Sequence, residues 1–386
     1  MKYTLVKDTI RDRDIDSLCE WLKTHPRLSK GPLTPKFEEK WANWLGTKHA
    51  VYVNSGSSAN LLILSALIET KMIERGSKVV VPAVSWATDL APVMQLGLEP
   101  VLCDCNMQDL SLDLDHFEEI CKKERPQSVM FVSVLGLVPE MDRLVKICNE
   151  NDVLLIEDTC ESFGSEYRGK KLGTFGKAST FSLYFGHHLS TIEGGIVATD
   201  DTFLYNALLS MRSHGWMRDC DQEFADLNHK KWKTNNFNQM YTFYYPGFNL
   251  RSTDLQAYLG LLQMEYADEV VEIRERNFIK YIENISDKYW KPTTHPDASL
   301  VSNFCYPLIV ENRDEVCKVL SESGVETRPL IAGSMSKQPF FVERYGKHNV
   351  PNADRVHKNG LYIPNNHGMT AEEVKEVCDI LNKIGN

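Results

Sequence analysis

Short apolar runs alternate with segments of helical periodicity along the first 200 residues. Helical patterns fill several of the intervals, for example residues 61–70 and 141–150. Near-continuous apolar strands that alternate with helices are typical of a mainly parallel sheet covered on both faces, so the pattern predicts an α/β fold. The predicted strands lie at residues 50–53, 78–82, 100–105, 128–134 and 153–158.

A sixth predicted strand, residues 180–184, ends in a polar turn that contains His187 and His188. A Gly-Gly pair then precedes a further strand at 196–199. Chemistry in α/β proteins collects where a strand ends and the chain turns. This turn is therefore the first candidate for a functional site.

The pattern changes in the second half of the chain. Residues 219–245 are polar and aromatic and predict a long irregular loop over the site, and a long helical pattern covers 253–284. An α+β pattern follows from about residue 285, so we divide the chain into residues 1–270 and a smaller domain, 271–386. The later elements are predicted at 304–310 (strand), 313–323 (helix), 325–329 (strand) and from 370 (helix).

Composition narrows the function classes. The 386 residues carry a net charge of −10 and no run of lysine or arginine, which disfavours nucleic-acid binding. We find neither an apolar stretch long enough for a bilayer nor an apolar signal core at the N-terminus, and expect a cytoplasmic protein. The ten cysteines are scattered without a C-x-x-C pair, which indicates reduced thiols and no zinc or iron–sulfur site.

Three strand ends carry residues with two interpretations each. Gly56 and Ser57 begin a helix, where backbone N–H groups and the helix dipole bind phosphate, although a serine there also serves as a plain N-cap. Trp86 is either a core residue or a flat surface for a planar ligand. Asp158 either caps the next turn or pairs with a cationic ligand.

Taken in order, these motifs resemble the pyridoxal-phosphate-dependent sugar aminotransferase family, which has the aspartate-aminotransferase fold. The resemblance runs from Phe37 to Arg328 and implies a fold type I α/β protein, with a large cofactor-binding domain within 1–270 and a small C-terminal domain. It rests on SGSSAN (55–60), VPAVSW (81–86), IED (156–158), GTFG (173–176), TFS (180–182), EGG (193–195) and PGFN (246–249).

The resemblance implies a phosphate site for the cofactor. Gly56, Ser57 and Ser182 are expected to bind this phosphate within one subunit. Asn249 is expected to reach the phosphate of the neighbouring subunit, which implies a homodimer.

It also implies contacts to the cofactor ring. Trp86 is expected to stack on the pyridine ring, and Asp158 to pair with the protonated ring nitrogen, which keeps the ring an electron sink. Glu161 stands where many members have glutamine, near the phenolic oxygen of the cofactor.

One position departs from the family. Members carry a lysine five residues after the serine of TFS and six before the glutamate of EGG, and both spacings lead here to His187. Lys170, Lys171 and Lys177 precede the strand and cannot replace that lysine without a shift of register. An imidazole cannot form a Schiff base, but it can transfer a proton near neutral pH.

The histidine pair resembles one subgroup, the GDP-4-keto-6-deoxymannose 3-dehydratases. This resemblance implies that glutamate converts pyridoxal phosphate to pyridoxamine phosphate, that His187 moves a proton, and that the C3 hydroxyl of a GDP-linked sugar leaves with release of ammonia. Such an enzyme would serve the biosynthesis of 3,6-dideoxy sugars for lipopolysaccharide or capsule. His188, its neighbour, is expected to face the other side and to have a structural or hydrogen-bonding role.

Other interpretations stay open. They are a nucleotide-sugar 4-aminotransferase that uses another lysine, an inert protein that binds the cofactor or a nucleotide sugar, and an iron–sulfur 3-dehydratase of the CDP-sugar type. Candidate substrate contacts are donor-rich side chains that suit diphosphates and carboxylates. They are Arg212, His214, Trp216, Arg218 and Arg328.

Overall fold

The computed structural model describes residues 1–384. Its α-helices are α1 (Asp12–Leu22), α2 (Leu33–Leu45), α3 (Gly56–Glu69), α4 (Ala87–Gln95), α5 (Leu114–Glu124), α6 (Met141–Glu150), α7 (Thr202–Arg212), α8 (Gln222–Lys231), α9 (Asp254–Gln263), α10 (Ala267–Asn284), α11 (Arg313–Glu322), α12 (Pro339–Tyr345), α13 (Pro351–Asn359) and α14 (Ala371–Lys383). Its strands are β1 (His49–Val53), β2 (Lys78–Pro82), β3 (Glu99–Cys103), β4 (Ser128–Val132), β5 (Leu154–Asp158), β6 (Glu166–Tyr167), β7 (Lys170–Lys171), β8 (Ala178–Ser182), β9 (Gly195–Thr199), β10 (Ala298–Leu300), β11 (Tyr306–Ile309), β12 (Arg328–Pro329) and β13 (Gly360–Ile363).

A seven-stranded sheet forms the centre of the fold. Its strand order is β1-β9-β8-β5-β4-β2-β3, and the neighbours from β8 to β3 pair in parallel. Strand β9 runs antiparallel to both of its neighbours. Buried apolar side chains line the strands, as a sheet covered on both faces requires. The predicted α/β fold with a mainly parallel sheet is confirmed.

Helix α2 shows how the sequence pattern sets the packing. Its stripe of Phe37, Trp41 and Leu45 is buried, and Gly46 ends the helix with a φ of 93°, a left-handed conformation that glycine adopts without strain. The Trp41 ring packs against Phe181 of β8, with ring centroids 5.2 Å apart. This contact fixes α2 against the strand that leads into the histidine turn.

The C-terminal part contains a second, antiparallel sheet in the order β11-β13-β12. The predicted strand 304–310 corresponds to β11, whereas of the predicted strand 325–329 only Arg328 and Pro329 join this sheet, and Val325 forms an isolated bridge to Tyr3. Residues 304, 305, 328 and 362 of this part contribute to the cavity described below.

Two predicted segments differ from the structure. The helix expected over 253–284 is interrupted, because α9 ends at Gln263 and α10 begins at Ala267. The Gln263 side chain is buried and donates to the Thr9 carbonyl and Asp14, and Tyr266 also bonds to Asp14. These anchors to the N-terminal segment divide the helix where no proline or glycine marks a break.

The segment 219–245 was expected to be irregular, and this is wrong for its first half, which contains α8. Phe224 and Ala225 of this helix are buried against Met217. The rest of the segment exposes large apolar side chains, of which Phe237 is 91% exposed. Within the described residues, no helix is long and apolar enough to span a bilayer.

Candidate active site

A cavity of about 390 Å³ opens at the carboxyl ends of β5 and β8. Its walls come from the start of α3, the turn before α4, the histidine turn and the C-terminal sheet. Ligands of open α/β sheets bind at this edge, outside the carboxyl ends of the strands. Besides His187, six of the seven predicted cofactor-binding residues lie in this wall, namely Gly56, Ser57, Trp86, Asp158, Glu161 and Ser182.

The start of α3 forms one end of the cavity. Ser55 is the N-cap, and its hydroxyl accepts a hydrogen bond from the Ser58 N–H at 3.1 Å. A Cβ atom on Gly56 would lie 2.8 Å from the Cβ of Ser182 and 3.3 Å from the Cys160 sulfur, so the position admits glycine alone without movement. The first N–H groups of this 14-residue helix and two hydroxyls therefore face a narrow recess that suits a phosphate.

Asp158 is fixed at the end of β5. The Asn60 amide donates to its Oδ2 at 2.7 Å, and the Cys160 N–H donates to its Oδ1 at 2.9 Å. The Asn60 carbonyl in turn accepts from the Thr180 hydroxyl at 2.7 Å, so β5, β8 and α3 hold one carboxyl orientation together. Of the two interpretations of Asp158, the structure favours a ligand-facing carboxylate, because it is a wall of the cavity.

Trp86 lies at the N-cap position of α4. Its side chain is 55% exposed, and it lines the cavity. The core interpretation of this tryptophan is therefore wrong, and its flat face is available to a planar ligand. The Asp89 carboxylate accepts from the Trp86 N–H at 3.0 Å and fixes the backbone of this position.

His187 is placed by a compact turn. The His187 N–H donates to the Tyr184 carbonyl and the Thr191 N–H to the Leu183 carbonyl, each at 2.9 Å. Its ring lies 5.3 Å from that of Phe304, between centroids, and within the described residues its Nδ1 atom has no hydrogen-bond partner. Burial lowers the pKa of His187 to about 4, although the Cys160 backbone and Asp158 oppose this effect. The imidazole is therefore neutral at physiological pH and can accept a proton.

His188 faces away from the cavity, as its expected structural role requires. Its side chain is buried, and its Nε2 atom lies 3.1 Å from the Ser302 carbonyl oxygen. Burial lowers the pKa of His188 as well, so this ring is a neutral hydrogen-bonding group of the core.

Glu161 is a second titratable residue in the wall of the cavity. Burial raises the pKa of Glu161 to about 7, partly offset by the hydrogen bond that its Oε2 accepts from the Leu135 N–H at 2.9 Å. The Asp158 charge raises the same pKa further. Around neutral pH, this carboxyl group changes from a hydrogen-bond donor to an acceptor.

Glu161 predicts a pH dependence of stability. The pKa of this carboxyl group is higher in the folded state than its value near 4.5 in the unfolded state. Its contribution to stability is fully present below pH 4.5 and is lost as the pH rises through about 7. We therefore expect Glu161→Gln to stabilise the apoprotein more at pH 8.5 than at pH 4. The change that it causes in the free energy of unfolding should be more favourable by roughly 2–3 kcal/mol at pH 8.5. Urea unfolding at both pH values measures it. The exposed Glu322→Gln is the control, and equal shifts in both variants would contradict the assignment.

The predicted substrate contacts separate into two places. Arg328 lies in the cavity wall, whereas His214, Trp216 and Arg218 form a cluster outside it. In that cluster the Arg218 guanidinium carbon lies 3.8 Å from the Trp216 ring centroid. Asn249 is exposed near the same cluster, where it pairs with Ser213, and it does not line the cavity of its own chain.

The substrate interpretation of Arg212 is wrong. Its side chain is 1% exposed and pairs with Glu38 at 2.5 Å. It also donates to the Tyr52 carbonyl at 2.8 Å, so its guanidinium links α7, α2 and β1 beneath the surface. Residues 212–218 are rich in hydrogen-bond donors throughout, so their composition does not distinguish the buried Arg212 from its more exposed neighbours.

Sequence reasoning missed several wall residues, among them Asp89, Cys160, Phe304 and Tyr362. Phe304 and Tyr362 come from the distant C-terminal sheet, which the chain order does not place next to β5. Asp89 follows the VPAVSW motif, three residues after Trp86, where an acid at a helix start is usually only a cap.

Known proteins share this architecture over the whole chain. The GDP-4-keto-6-deoxy-D-mannose 3-dehydratase of Yersinia pseudotuberculosis is 31% identical over 399 residues, covering 99% of each chain. A solved structure of E coli GDP-4-keto-6-deoxy-D-mannose-3-dehydratase with bound hydrated PLP superposes with a TM-score of 0.90 at 29% identity, covering 98% of this chain and 99% of that one. Another, of a GDP-4-keto-6-deoxymannose-3-dehydratase with a trapped PLP-glutamate geminal diamine, has a TM-score of 0.90 at 28% identity, covering 98% and 100%.

The family comparison agrees with the cavity geometry. The model of the DegT/DnrJ/EryC1/StrS aminotransferase family matches residues 9–382, nearly the whole chain. With the fold, the cavity and this match in agreement, the chain belongs to the DegT/DnrJ/EryC1/StrS aminotransferase family.

Proposed function

We propose that this protein is a pyridoxal-phosphate-dependent 3-dehydratase that removes the 3-hydroxyl of a GDP-linked 4-keto-6-deoxy sugar, with glutamate as the amino donor and ammonia as a product. The relatives with this activity match the chain from end to end. Its product belongs to the biosynthesis of 3,6-dideoxy sugars.

The observation that carries this proposal is the histidine at the lysine position. His187 lies in the cavity wall, and the wall residues of the described chain include no lysine. Lys177 pairs with Asp201, and the Lys170 ammonium lies 4.3 Å from the Phe175 ring, so both are engaged elsewhere. A 4-aminotransferase that depends on a lysine in the site is therefore disfavoured.

The cavity fits pyridoxal phosphate on structural grounds. The glycine-only recess at the start of α3, with Gly56, Ser57 and Ser182, would hold the phosphate. The half-exposed Trp86 would cover one face of the ring, and Asp158 would bind its nitrogen. When bound, this cofactor supplies an electron sink and an amine that can be exchanged between substrates.

The chain's own residues then direct the proton. His187 is neutral because of its burial, so it accepts a proton at a ring nitrogen and allows the C3 hydroxyl to leave. Since an imidazole cannot bond covalently to the cofactor as a lysine amine does, the nitrogen is released as ammonia. With the cofactor bound, Glu161 would offer a hydrogen bond to the phenolic oxygen of the ring, and the protonation of Glu161 near pH 7 would set the direction of that bond.

The overall reaction balances without a further oxidant. Glutamate is oxidised at its α-carbon to the 2-oxo acid and gives up its nitrogen as ammonia. The sugar is reduced at C3, where a hydroxyl is replaced by hydrogen, so its mass falls by one oxygen. The oxygen lost from the sugar equals the one gained by glutamate.

The test is direct. We would incubate the purified protein with pyridoxal phosphate, glutamate and GDP-4-keto-6-deoxymannose, and measure the nucleotide-sugar mass and free ammonia. A product lighter by one oxygen with equimolar ammonia is expected. An amino sugar without ammonia would overturn the proposal in favour of a 4-aminotransferase, and no cofactor binding at all would overturn it in favour of an unrelated activity.

We also propose a homodimer whose sites are completed by the neighbouring chain. Asn249 would reach the neighbour's phosphate, and His214, Trp216 and Arg218 would contact the nucleotide sugar there. Two features support this: these residues do not line the cavity of their own chain, and exposed apolar side chains contact them, as expected of a protein interface. The side chains of Tyr241 and Phe243 and the Met240 carbonyl contact Trp216 or Arg218, and Leu227, Trp232 and Phe237 of the same segment are also exposed.

Subunit mixing tests this arrangement. We expect Asn249→Ala to lower activity by about tenfold or more through loss of a hydrogen bond to a charged group. Mixed with the inactive His187→Asn variant, it should regain activity, because one site of each mixed dimer then has both residues. Refolding His187→Asn with itself is the control. Mixed dimers that form without regaining activity would contradict the shared site.

The reduced cysteines support a cytoplasmic location, which we propose as well. All ten lie within the described residues and are free thiols. This state matches a compartment in which glutathione keeps thiols reduced.

A further inference from the structure

A second carboxyl group lies beside Asp158 at the end of β5. Asp89 of α4 is 1% exposed, lines the same cavity, and shares the Asn60 amide as a hydrogen-bond donor with Asp158. The Asn60 amide donates to both, at 3.3 Å to Asp89 and 2.7 Å to Asp158. The two carboxyl groups are thus held as a pair by one side chain.

An ionised carboxyl group has only acceptor atoms. Because one amide nitrogen contacts an oxygen of each, the two carboxyl groups are neighbours, and any direct hydrogen bond between them requires that one carries a proton. Two buried like charges in contact are also costly, and such carboxyl pairs retain a proton for this reason. The burial and proximity of the two groups therefore favour one proton shared by the pair.

We infer that Asp89 is a positioning residue that keeps this proton, donates it as a hydrogen bond to Asp158, and so aims an anionic Asp158 at the cofactor's ring nitrogen. Asp158 receives two further hydrogen bonds, from Asn60 and the Cys160 N–H, which stabilise its charge. Asp89 also receives two hydrogen bonds, but both are longer, from the Trp86 N–H at 3.0 Å and from Asn60 at 3.3 Å. The carboxyl group with the longer and weaker donor contacts is the one that keeps the proton.

The charges around Asp89 agree with this assignment. Burial raises the pKa of Asp89 well above its usual range, and the charges of Asp158 and then Glu161 add to the effect. The Trp86 N–H is the opposing contact, and the Cys160 thiol, whose pKa is itself raised by burial, contributes no charge. These neighbours come from α4 and from the segment after β5.

The function of the pair follows from its chemistry. A hydrogen bond from Asp89 makes Asp158 a weaker base, so a proton between Asp158 and the ring nitrogen stays on the nitrogen. It also leaves one negative charge, which a single protonated ring neutralises. This role toward the ring depends on the proposed function, whereas the shared proton does not.

The first experiment uses the apoprotein. Infrared spectra at pH 7 are recorded for Glu161→Gln and for Glu161→Gln with Asp89→Asn, so that Glu161 contributes no carboxyl signal. We expect a protonated-carboxyl band that disappears with Asp89→Asn. Labelling aspartate with ¹³C in the unmutated protein should shift the same band. This measurement assigns the band to an aspartate even if a variant fails to fold. A protein without such a band would overturn the inference.

The second experiment measures binding of pyridoxal phosphate. Asp89→Asn keeps a hydrogen-bond donor toward Asp158, so its affinity should stay within about threefold of the wild type, whereas Asp89→Leu should lose about tenfold or more. Equal losses in both variants would show that only packing matters and overturn the positioning role. If the protein binds the cofactor but forms no deoxy sugar, the proposed reaction is refuted, whereas the inference that Asp89 and Asp158 share a proton is not.

Discussion

Replacing His187 by asparagine is expected to lower the rate of ammonia release by about 10²–10⁴-fold, the usual contribution of a positioned acid–base group. Asparagine keeps a polar side chain of similar reach but cannot take up a proton at neutral pH. Binding of pyridoxal phosphate should be retained, since the recess at α3 and Asp158 are unchanged. Single-turnover release of ammonia, with cofactor absorbance recorded in parallel, separates the two effects.

His367 offers a matched control. Burial lowers the pKa of His367 to about 4, as in His187, and the Nδ1 atoms of both lack a partner within residues 1–384. His367 does not line the cavity. We expect His367→Gln to keep ammonia release near the wild-type rate. A His187→Asn variant within tenfold of the wild type, or an equal loss in both variants, would contradict the assignment of the proton transfer to His187.

The sequence-based predictions succeeded where the information was local. The recess at the start of α3 could be predicted because Ser55, Gly56 and Ser57 are contiguous, with a strand before them and a helix after them. His187 could be predicted because two motifs of fixed spacing bracket it. In both cases the backbone between neighbouring residues sets the geometry, and no distant contact is needed.

The remaining site residues depend on contacts between distant parts of the chain. Phe304 and Tyr362 reach the cavity from the C-terminal sheet, and Asp89 acquires its chemistry only through the neighbouring Asp158. The domain division after residue 270 remains a prediction, and α10 runs across it from Ala267 to Asn284. Composition also failed to distinguish Arg212 from its neighbours, because burial is a tertiary property.

The corrected position of Arg212 leads to the second large expected effect. Arg212→Ala should lower the free energy of unfolding by about 3–5 kcal/mol, because it leaves the Glu38 carboxylate buried without its cation. The side chains of Arg212 and Glu38 are 1% and 8% exposed, so solvent cannot replace the lost contact. Urea unfolding followed by circular dichroism measures this change.

A control and a double variant separate charge from packing. Arg355 pairs with Glu311 at 3.5 Å with side chains 56% and 75% exposed, so Arg355→Ala should leave stability unchanged within error. Combining Arg212→Met with Glu38→Leu should recover part of the loss, since a buried ion pair can be replaced by apolar side chains. Recovery is incomplete because Glu38 also accepts a hydrogen bond from the Tyr52 N–H at 2.7 Å.

The same variants decide between the two interpretations of Arg212. A substrate contact would weaken nucleotide-sugar binding and leave the unfolding curve in place. A buried structural cation changes the unfolding curve, and Arg212→Ala protein that remains folded at low temperature should bind the cofactor normally, because Arg212 is not part of the cavity wall. An Arg212→Ala variant of wild-type stability with weakened nucleotide-sugar binding would therefore restore the substrate interpretation and refute the structural one.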